Sequence, residues 1–244
     1  MDILKTENLS KIYDGQKVVN SINLNVQSGK VTGLLGRNGA GKTTTFLMLA
    51  GIVKPDSGNI VFNNKNLSGI PSYKRAEMGL IYLPQQHSVF IKATVYMNLF
   101  QILELKYEFD KADRIALELI DDFGLLEVKD SQAYQLSGGE KRRLEIARAM
   151  IMKPKFLFLD EPFTGIDPIT IMDIQKIVLK LKERGIGIIV TDHNVKDIFD
   201  ITDTAYIIHK GKILDFGKPS ELILKEETKR LFLGEDFEWE EVRK

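Results

Sequence analysis

Residues 36 to 43 read Gly36-Arg37-Asn38-Gly39-Ala40-Gly41-Lys42-Thr43, with Thr44 next, and fit G-x-x-x-x-G-K-[ST] at every fixed position. Glycines at these places let backbone N–H groups turn inward around a polyphosphate, and the dipole of a following helix favours the anion. Lys42 is then placed to neutralise the β and γ phosphates, and the Thr43 hydroxyl to ligate Mg²⁺. The alternative is a chance glycine-rich turn. It loses weight because "VTGLLG" before the loop reads as a strand and "TTTFLMLAGI" after it as a buried helix.

A loop that holds phosphates needs a second group for the metal and another for an attacking water. "FLFLDEP" supplies both: an apolar strand delivers Asp160 to its end and Glu161 follows at once. An acid at the first place supports Mg²⁺, and the adjacent carboxylate orients water or accepts its proton. Two solvated acids at a strand end are the competing reading. His193 follows "IGIIVTD" and Gln85 follows "GLIYLP", each at the tip of a predicted strand. Strands of one parallel sheet present their C-terminal ends on one edge, where nucleotides bind, so both could reach a γ-phosphate. A structural role stands as an equal reading for each.

"QLSGGEKRRLEIARAM" (135 to 150) presents a second anion cradle: Ser137, Gly138 and Gly139 lead directly into a helical pattern. Ser137 and Glu140 also form an S-x-x-E capping box, which by itself only starts a helix. The box leaves the two glycines unexplained, since they raise the entropy loss of folding and expose N–H groups, as a phosphate would require.

The elements that position these groups follow from pattern. Before residue 90 the segments are mostly short and strand-like, with "DG" at 14 to 15 and "NN" at 63 to 64 as tight turns. From about Thr94 to Met152, "TVYMNLFQILEL", "DKADRIALELIDDFGL" and "EKRRLEIARAM" space apolar residues three and four apart, which predicts a helical insertion. "KFLFLD" and "IGIIVTD" flank the helical "ITIMDIQKIVLKLKERG", a βαβ rhythm that implies a parallel sheet, and "AYIIHKGKILDFG" reads as a hairpin. No internal repeat, low-complexity segment or long linker divides the chain.

The 244 residues suffice for one large α/β domain with a sizeable core. The 34 Lys and Arg balance the 34 Asp and Glu, so overall charge suggests neither nucleic-acid binding nor a polybasic membrane anchor. With no cysteine, disulfides, thiolate metal sites and cysteine nucleophiles are excluded. The start lacks a basic stretch followed by an apolar one, and no apolar run approaches the roughly 20 residues of a membrane span. A cytosolic chain is expected, with any membrane role coming through a partner.

With these residues in view, the sequence resembles the ATP-binding subunits of ABC transporters along essentially its whole length. The resemblance is carried by the phosphate loop, a glutamine loop at Gln85, the LSGGE signature at 136 to 140, Asp160 and Glu161, the "GID" of a D-loop at 165 to 167, and a switch histidine at His193. It implies an α/β fold: a P-loop NTPase (RecA-like) core with a mixed sheet, an N-terminal antiparallel β region and an inserted α-helical subdomain. The implied layout is core and β region at about 1–90 and 153–234, helical subdomain at about 91–152, and tail at 235–244. It implies ATP and Mg²⁺ as the groups bound, with Glu161, His193 and Gln85 in catalysis and Thr43, Gln85 and Asp160 at the metal. Nucleotide would be held by Tyr13 against adenine, by Gly36 to Thr44, and by Ser137, Gly138, Gly139 and Glu140. The family pairs head to tail, so Ser137 and Gly139 would contact the γ-phosphate bound at Lys42 of the other copy of a homodimer.

Within the family, "YLPQQHSVFIKATVYMNL" (82 to 99), "LDEPFTGIDPITIMDIQ" (159 to 175) and "TKRLFLGEDF" (228 to 237) are similar to the ATPases of lipopolysaccharide exporters. That similarity implies two transmembrane permease subunits (LptF/LptG-like), docked in a groove near Gln85 and Phe90, and a place on the cytoplasmic face of the inner membrane. The alternative is the ATPase of a branched-chain amino-acid importer, whose tail resembles this one less. Ile91-Lys92 departs from the more basic pair expected beside the groove. No role attaches to residues 238–244 beyond a solvated tail. No nucleic-acid partner is expected: DNA-repair relatives insert a long coiled coil for which the stretch from Lys42 to Leu136 leaves no room, and ribosome-associated relatives usually carry two cassettes. Glu161 and His193 also argue against a module that binds ATP without hydrolysing it.

Overall fold

Strand β8 (Phe156–Asp160) is buried at every position, and so are β4 (Val31–Leu35) and β9 (Gly187–Thr191). Continuous apolar runs of this kind belong to parallel strands covered on both faces. The period of two sorts their side chains: Phe156 and Phe158 go to one buried cluster, Leu157 and Leu159 to another on the opposite face. The computed structural model describes residues 1–233; the expected tail at 235–244, with residues 238–244, therefore lies outside the described residues.

The main sheet has the order β11-β10-β4-β9-β8-β7, where β7 is Leu80–Leu83, β10 Thr204–His209 and β11 Lys212–Gly217. Its pairs are parallel except β10 with β11, so the sheet is mixed, as expected. A second, antiparallel sheet is built on β1 (Ile3–Tyr13), which pairs with β2 (Gln16–Ile22), β3 (Asn25–Gln27) and β5 (Ser57–Phe62). Strand β6 (Lys65–Asn66) extends it beyond β5. The two expected turns and the bend of the expected hairpin each place two residues at positive φ: Asp14 and Gly15, Asn63 and Asn64, Lys210 and Gly211. Turns of this hand match the twist of the strands they join.

Helix α1 (Lys42–Leu49) lies between the two sheets, with Phe46, Met48 and Leu49 buried in the same cluster as Leu4, Phe62, Phe156 and Phe158. A six-residue helix, α2 (Ser72–Glu77), breaks the region read from sequence as strand-like. It is too short for a 3.6-residue pattern to register. Its buried residue is Arg75, whose guanidinium donates to the carbonyls of Met48 and Leu49 at the end of α1 and to Leu67 and Ile70. A cation there complements the negative end of the α1 dipole.

The helical stretch contains α3 (Val95–Leu103), α4 (Phe109–Asp122) and α5 (Gly138–Met150), where the spacing predicts them. Their apolar faces share one buried cluster with α6 (Pro168–Glu183) and the second face of the main sheet. Asp167 caps α6, accepting from Thr170 N at 3.0 Å, and Pro168 opens it. A short α7 (Val195–Phe199) follows β9. Among the described residues no helix is long and apolar enough to cross a membrane.

Candidate functional site

Four of the five parallel strands, β4, β9, β8 and β7, end on one edge and each hands over to a residue expected from sequence. The phosphate loop follows β4, His193 lies just past β9, Asp160 closes β8 with Glu161 next, and Gln85 lies just past β7. A cavity of about 390 Å³ at this edge is lined by Val18, Asn38, Gly39, Gly41, Lys42, Thr43, Thr44, Gln85, Glu161 and His193. The sheet topology thus gathers groups separated by more than a hundred residues.

The loop's glycines have distinct reasons. Gly36 has ordinary backbone angles, but a Cβ there would stand 2.3 Å from the carbonyl O of Ile208 in β10. Gly41, the N-cap of α1, has φ 105°, and a Cβ would meet the Val18 carbonyl at 2.6 Å. Gly39 has open space around it and is required by its φ of 77° alone. Ala40 is buried and its carbonyl accepts from Gly211 N at 3.0 Å, which ties the loop to the β10–β11 turn.

Lys42 is buried, and its ammonium donates to the carbonyls of Gly36 at 2.8 Å and Arg37 at 3.4 Å. Burial pulls its pKa down, opposed by the charges of Glu161, Asp160 and Asp192. Asp160 is 1% exposed. Its Oδ1 accepts from the Thr43 hydroxyl at 3.3 Å and its Oδ2 from Tyr82 Oη at 3.0 Å. Burial pushes the Asp160 carboxyl up; the Tyr82 and Thr43 hydrogen bonds and Lys42 resist this, while Glu161 adds to it.

Glu161 has φ 49°, the left-handed region that a non-glycine residue occupies at a strain of about 1 kcal/mol or more. Its N–H donates to the Thr191 carbonyl at 2.8 Å, which holds the turn on β9. The carboxylate Oε2 lies 3.4 Å from His193 Nδ1 and accepts from the Thr164 hydroxyl at 3.4 Å. Thr164 Oγ1 also lies 3.0 Å from His193 Nε2. Asp192 fixes this corner from beneath, accepting from Phe163 N and His193 N. A carboxylate, an imidazole and a hydroxyl facing a buried cation can hold a polyphosphate and activate water beside it.

Tyr82, Thr164 and Asp192 were not singled out from sequence. Asp192 could have been found by its place at the end of an apolar strand; Tyr82 and Thr164 act through folded contacts that leave no spacing signal. Among the described residues no cluster of three His, Asp or Glu side chains is placed to hold a metal ion by itself.

The second cradle lies outside this cavity. Ser137 caps α5, its hydroxyl accepting from Glu140 N at 3.3 Å and donating to Glu140 Oε2 at 2.7 Å, while Ser137 N donates to the same oxygen at 2.8 Å. The capping-box reading is therefore real. Gly139 also has a local reason that sequence did not suggest: a Cβ there would stand 2.0 Å from Thr170 Cγ2, where α5 meets the start of α6. Gly138 has neither, since its Cβ would make only ordinary contacts at 3.8 Å or more and its φ is not positive.

Tyr13 ends β1, two-fifths exposed, one turn away from β2 and the cavity-lining Val18; it does not itself line the cavity. Phe90 and Gln85, expected beside one groove, fall on different features. Gln85 lines the phosphate cavity, whereas Phe90, Ile91, Lys92, Thr94, Met97 and Gln101 border a separate shallow groove of about 610 Å³. The Phe90 ring is exposed and stacked under Arg148 at 4.5 Å, and its backbone is held by the buried Asn98.

Comparison with known proteins follows the same lines. The family described as ABC transporter matches residues 19–164. The lipopolysaccharide export system ATP-binding protein LptB is 47% identical in Haemophilus influenzae and 45% in Escherichia coli, over 97% of this chain and 99% of theirs. The solved ADP conformation of an ATP-binding cassette from an ABC transporter matches with TM-score 0.85 at 28% identity, covering 96% of this chain and 100% of that one. For cbiO1 from Clostridium perfringens, part of an ABC transporter complex, the TM-score is 0.82 at 33% identity over 93% and 92%.

Proposed function

The chain belongs to the ABC transporter family of ATP-binding domains, and from that premise we propose that it powers extraction of lipopolysaccharide from the inner membrane for export to the outer membrane. It binds and hydrolyses ATP. The observation that carries the export reading is similarity to LptB across 97% of the chain, including the stretch that borders the groove. These relatives do not favour the amino-acid importer.

The geometry supports the following roles. Backbone N–H groups of residues 36–44 and the Lys42 ammonium take the β and γ phosphates, with Tyr13 beside adenine. Glu161 orients or deprotonates the attacking water, and His193, 3.4 Å from that carboxylate, binds the γ-phosphate. Thr164, bridging the two, holds their relative position. Thr43 and Asp160 present oxygens to each other at 3.3 Å, and Gln85 lines the same cavity, a hard-oxygen set that suits Mg²⁺ once phosphate oxygens complete it. When bound, Mg²⁺ neutralises charge developing on the transferred phosphoryl group.

Two copies pair head to tail, so that Ser137, Gly138, Gly139 and Glu140 of one close over the phosphates held by the other. What supports this is the place of the second cradle: outside the cavity of its own chain, with Ser137 exposed and a Gly138 with no local reason. The groove at Phe90 takes a transmembrane permease of the LptF/LptG kind, which puts the chain on the cytoplasmic face of the inner membrane. The core and β region span about 1–90 and 153–234, and the helical subdomain about 91–152.

The test is to tag this chain in its own cells, solubilise membranes and identify the membrane proteins that copurify. Lipopolysaccharide-export permeases are expected; recovery of amino-acid permeases in their place would overturn the cargo while leaving the ATPase assignments standing.

A further inference from the structure

Tyr82 is the residue before Leu83, Pro84 and Gln85, on the edge strand of the main sheet. In the parallel register it sits opposite Phe158, so its side chain shares a face with Asp160 two residues further along β8. Its hydroxyl reaches Asp160 Oδ2 at 3.0 Å, while Oδ1 faces the Thr43 hydroxyl at 3.3 Å. The ring is fixed independently, in edge contact with Phe46 of α1 at 6.5 Å and 82°.

A carboxylate turns about its last torsion with only a broad two-fold preference, so burial alone does not decide the angle at which its oxygens face the phosphate loop. A donor on one oxygen does decide it. We propose that Tyr82 is a positioning residue for the metal: its hydroxyl holds Asp160 by Oδ2, so that Oδ1 is presented toward Thr43 and Mg²⁺. Because the same strand continues into Gln85, the hydroxyl also holds in one register the two side chains that approach the metal from different strands. This rests on the reading of Asp160 as a support for Mg²⁺.

The experiment measures equilibrium binding of a fluorescent ATP analogue to the full chain across a titration of free Mg²⁺, for the wild type, Tyr82→Phe and Asp160→Asn, with Tm recorded for each. Phe keeps the contact with Phe46, so Tm is expected to change by no more than about 2 °C. Tyr82→Phe should bind the metal-free analogue as the wild type does, yet require about ten-fold more Mg²⁺ for the metal-dependent gain in affinity, the effect of losing one hydrogen bond to a charged group. Asp160→Asn should lose most of that gain. If Asp160→Asn loses it and Tyr82→Phe keeps the wild-type midpoint, with or without a lower Tm, the role of Tyr82 is overturned and the reading of Asp160 stands. If Asp160→Asn retains the gain, the reading of Asp160 fails and the inference with it.

Discussion

The two glycine-rich helix starts, at α1 and at α5, are alike in sequence and differ in what surrounds them. The N-cap of α1 is Gly41, with no side-chain cap, and with it in one cavity stand a buried lysine, the Glu161 carboxylate and an imidazole, with Asp160 buried behind Thr43. The N-cap of α5 is Ser137, closed by its own Glu140 through reciprocal hydrogen bonds and exposed to solvent. A helix start that serves a ligand within its own chain is surrounded by the groups that do chemistry. The second, which we propose serves a ligand held by another copy, leaves Ser137 exposed and satisfies its own cap. The first region should therefore govern turnover and the second the closing of two copies.

The largest effect expected is in the first region. Glu161→Gln removes the group assigned to water while keeping shape, and should cut the hydrolysis rate by about 10²- to 10⁴-fold with ATP binding retained and a dimer trapped; steady-state turnover and size-exclusion chromatography with ATP measure both. An unchanged rate would remove the difference between the regions. Next, Ser137→Arg should leave nucleotide affinity of the isolated chain within about two-fold but weaken ATP-dependent dimerisation by about 10- to 100-fold, the size of a steric clash at a close interface. Dimerisation surviving that change, read by light scattering, would mean the second cradle serves only its own helix.

The two signature glycines sharpen the comparison further. Gly139→Ala puts a Cβ against Thr170 Cγ2 and should destabilise the fold by about 1–3 kcal/mol. Gly138→Ala, with ordinary contacts around it, should leave Tm unchanged and weaken ATP-dependent pairing; thermal melts and dimerisation assays separate the two. The smallest effect is a matter of pH. The Ser137 hydrogen bond, ahead of the other influences, holds the Glu140 carboxyl below its ordinary 4.5. A lowered carboxylate contributes stability that is present above the ordinary value and lost as pH falls through the lower folded one. Glu140 is largely solvated, so removing this contribution with Glu140→Gln should flatten Tm against pH in that acid window by only about 1–2 °C.

Much of this was legible beforehand, for physical reasons that also mark the limit. Strands β4, β8 and β9 announce themselves as apolar runs, and the tight turns at 14–15 and 63–64 as residues that tolerate positive φ. The phosphate loop, Asp160, Glu161, Gln85 and His193 could be placed on one edge because parallel topology requires it. Helix α2 escaped because six residues with one buried arginine carry no period. The reason for Gly139 lies in Thr170, thirty-one residues away, and the partner of Tyr82 lies on a neighbouring strand. Contacts between distant segments leave no trace in local spacing, so the second cradle looked simpler in sequence than it is. Its cap, its packing glycine and its unexplained glycine are three different constraints within four residues.

The central claim, that the two cradles of different chains enclose one nucleotide, has a direct test. The chain contains no cysteine, so introduced thiols report without background. Asn38→Cys and Ser137→Cys, each in the Glu161→Gln background, are purified separately, mixed, and treated with a short thiol cross-linker with and without ATP. The account predicts a cross-linked dimer joining position 38 of one chain to position 137 of the other only when ATP is present. No cross-link with ATP, or the same yield without it, would contradict the account.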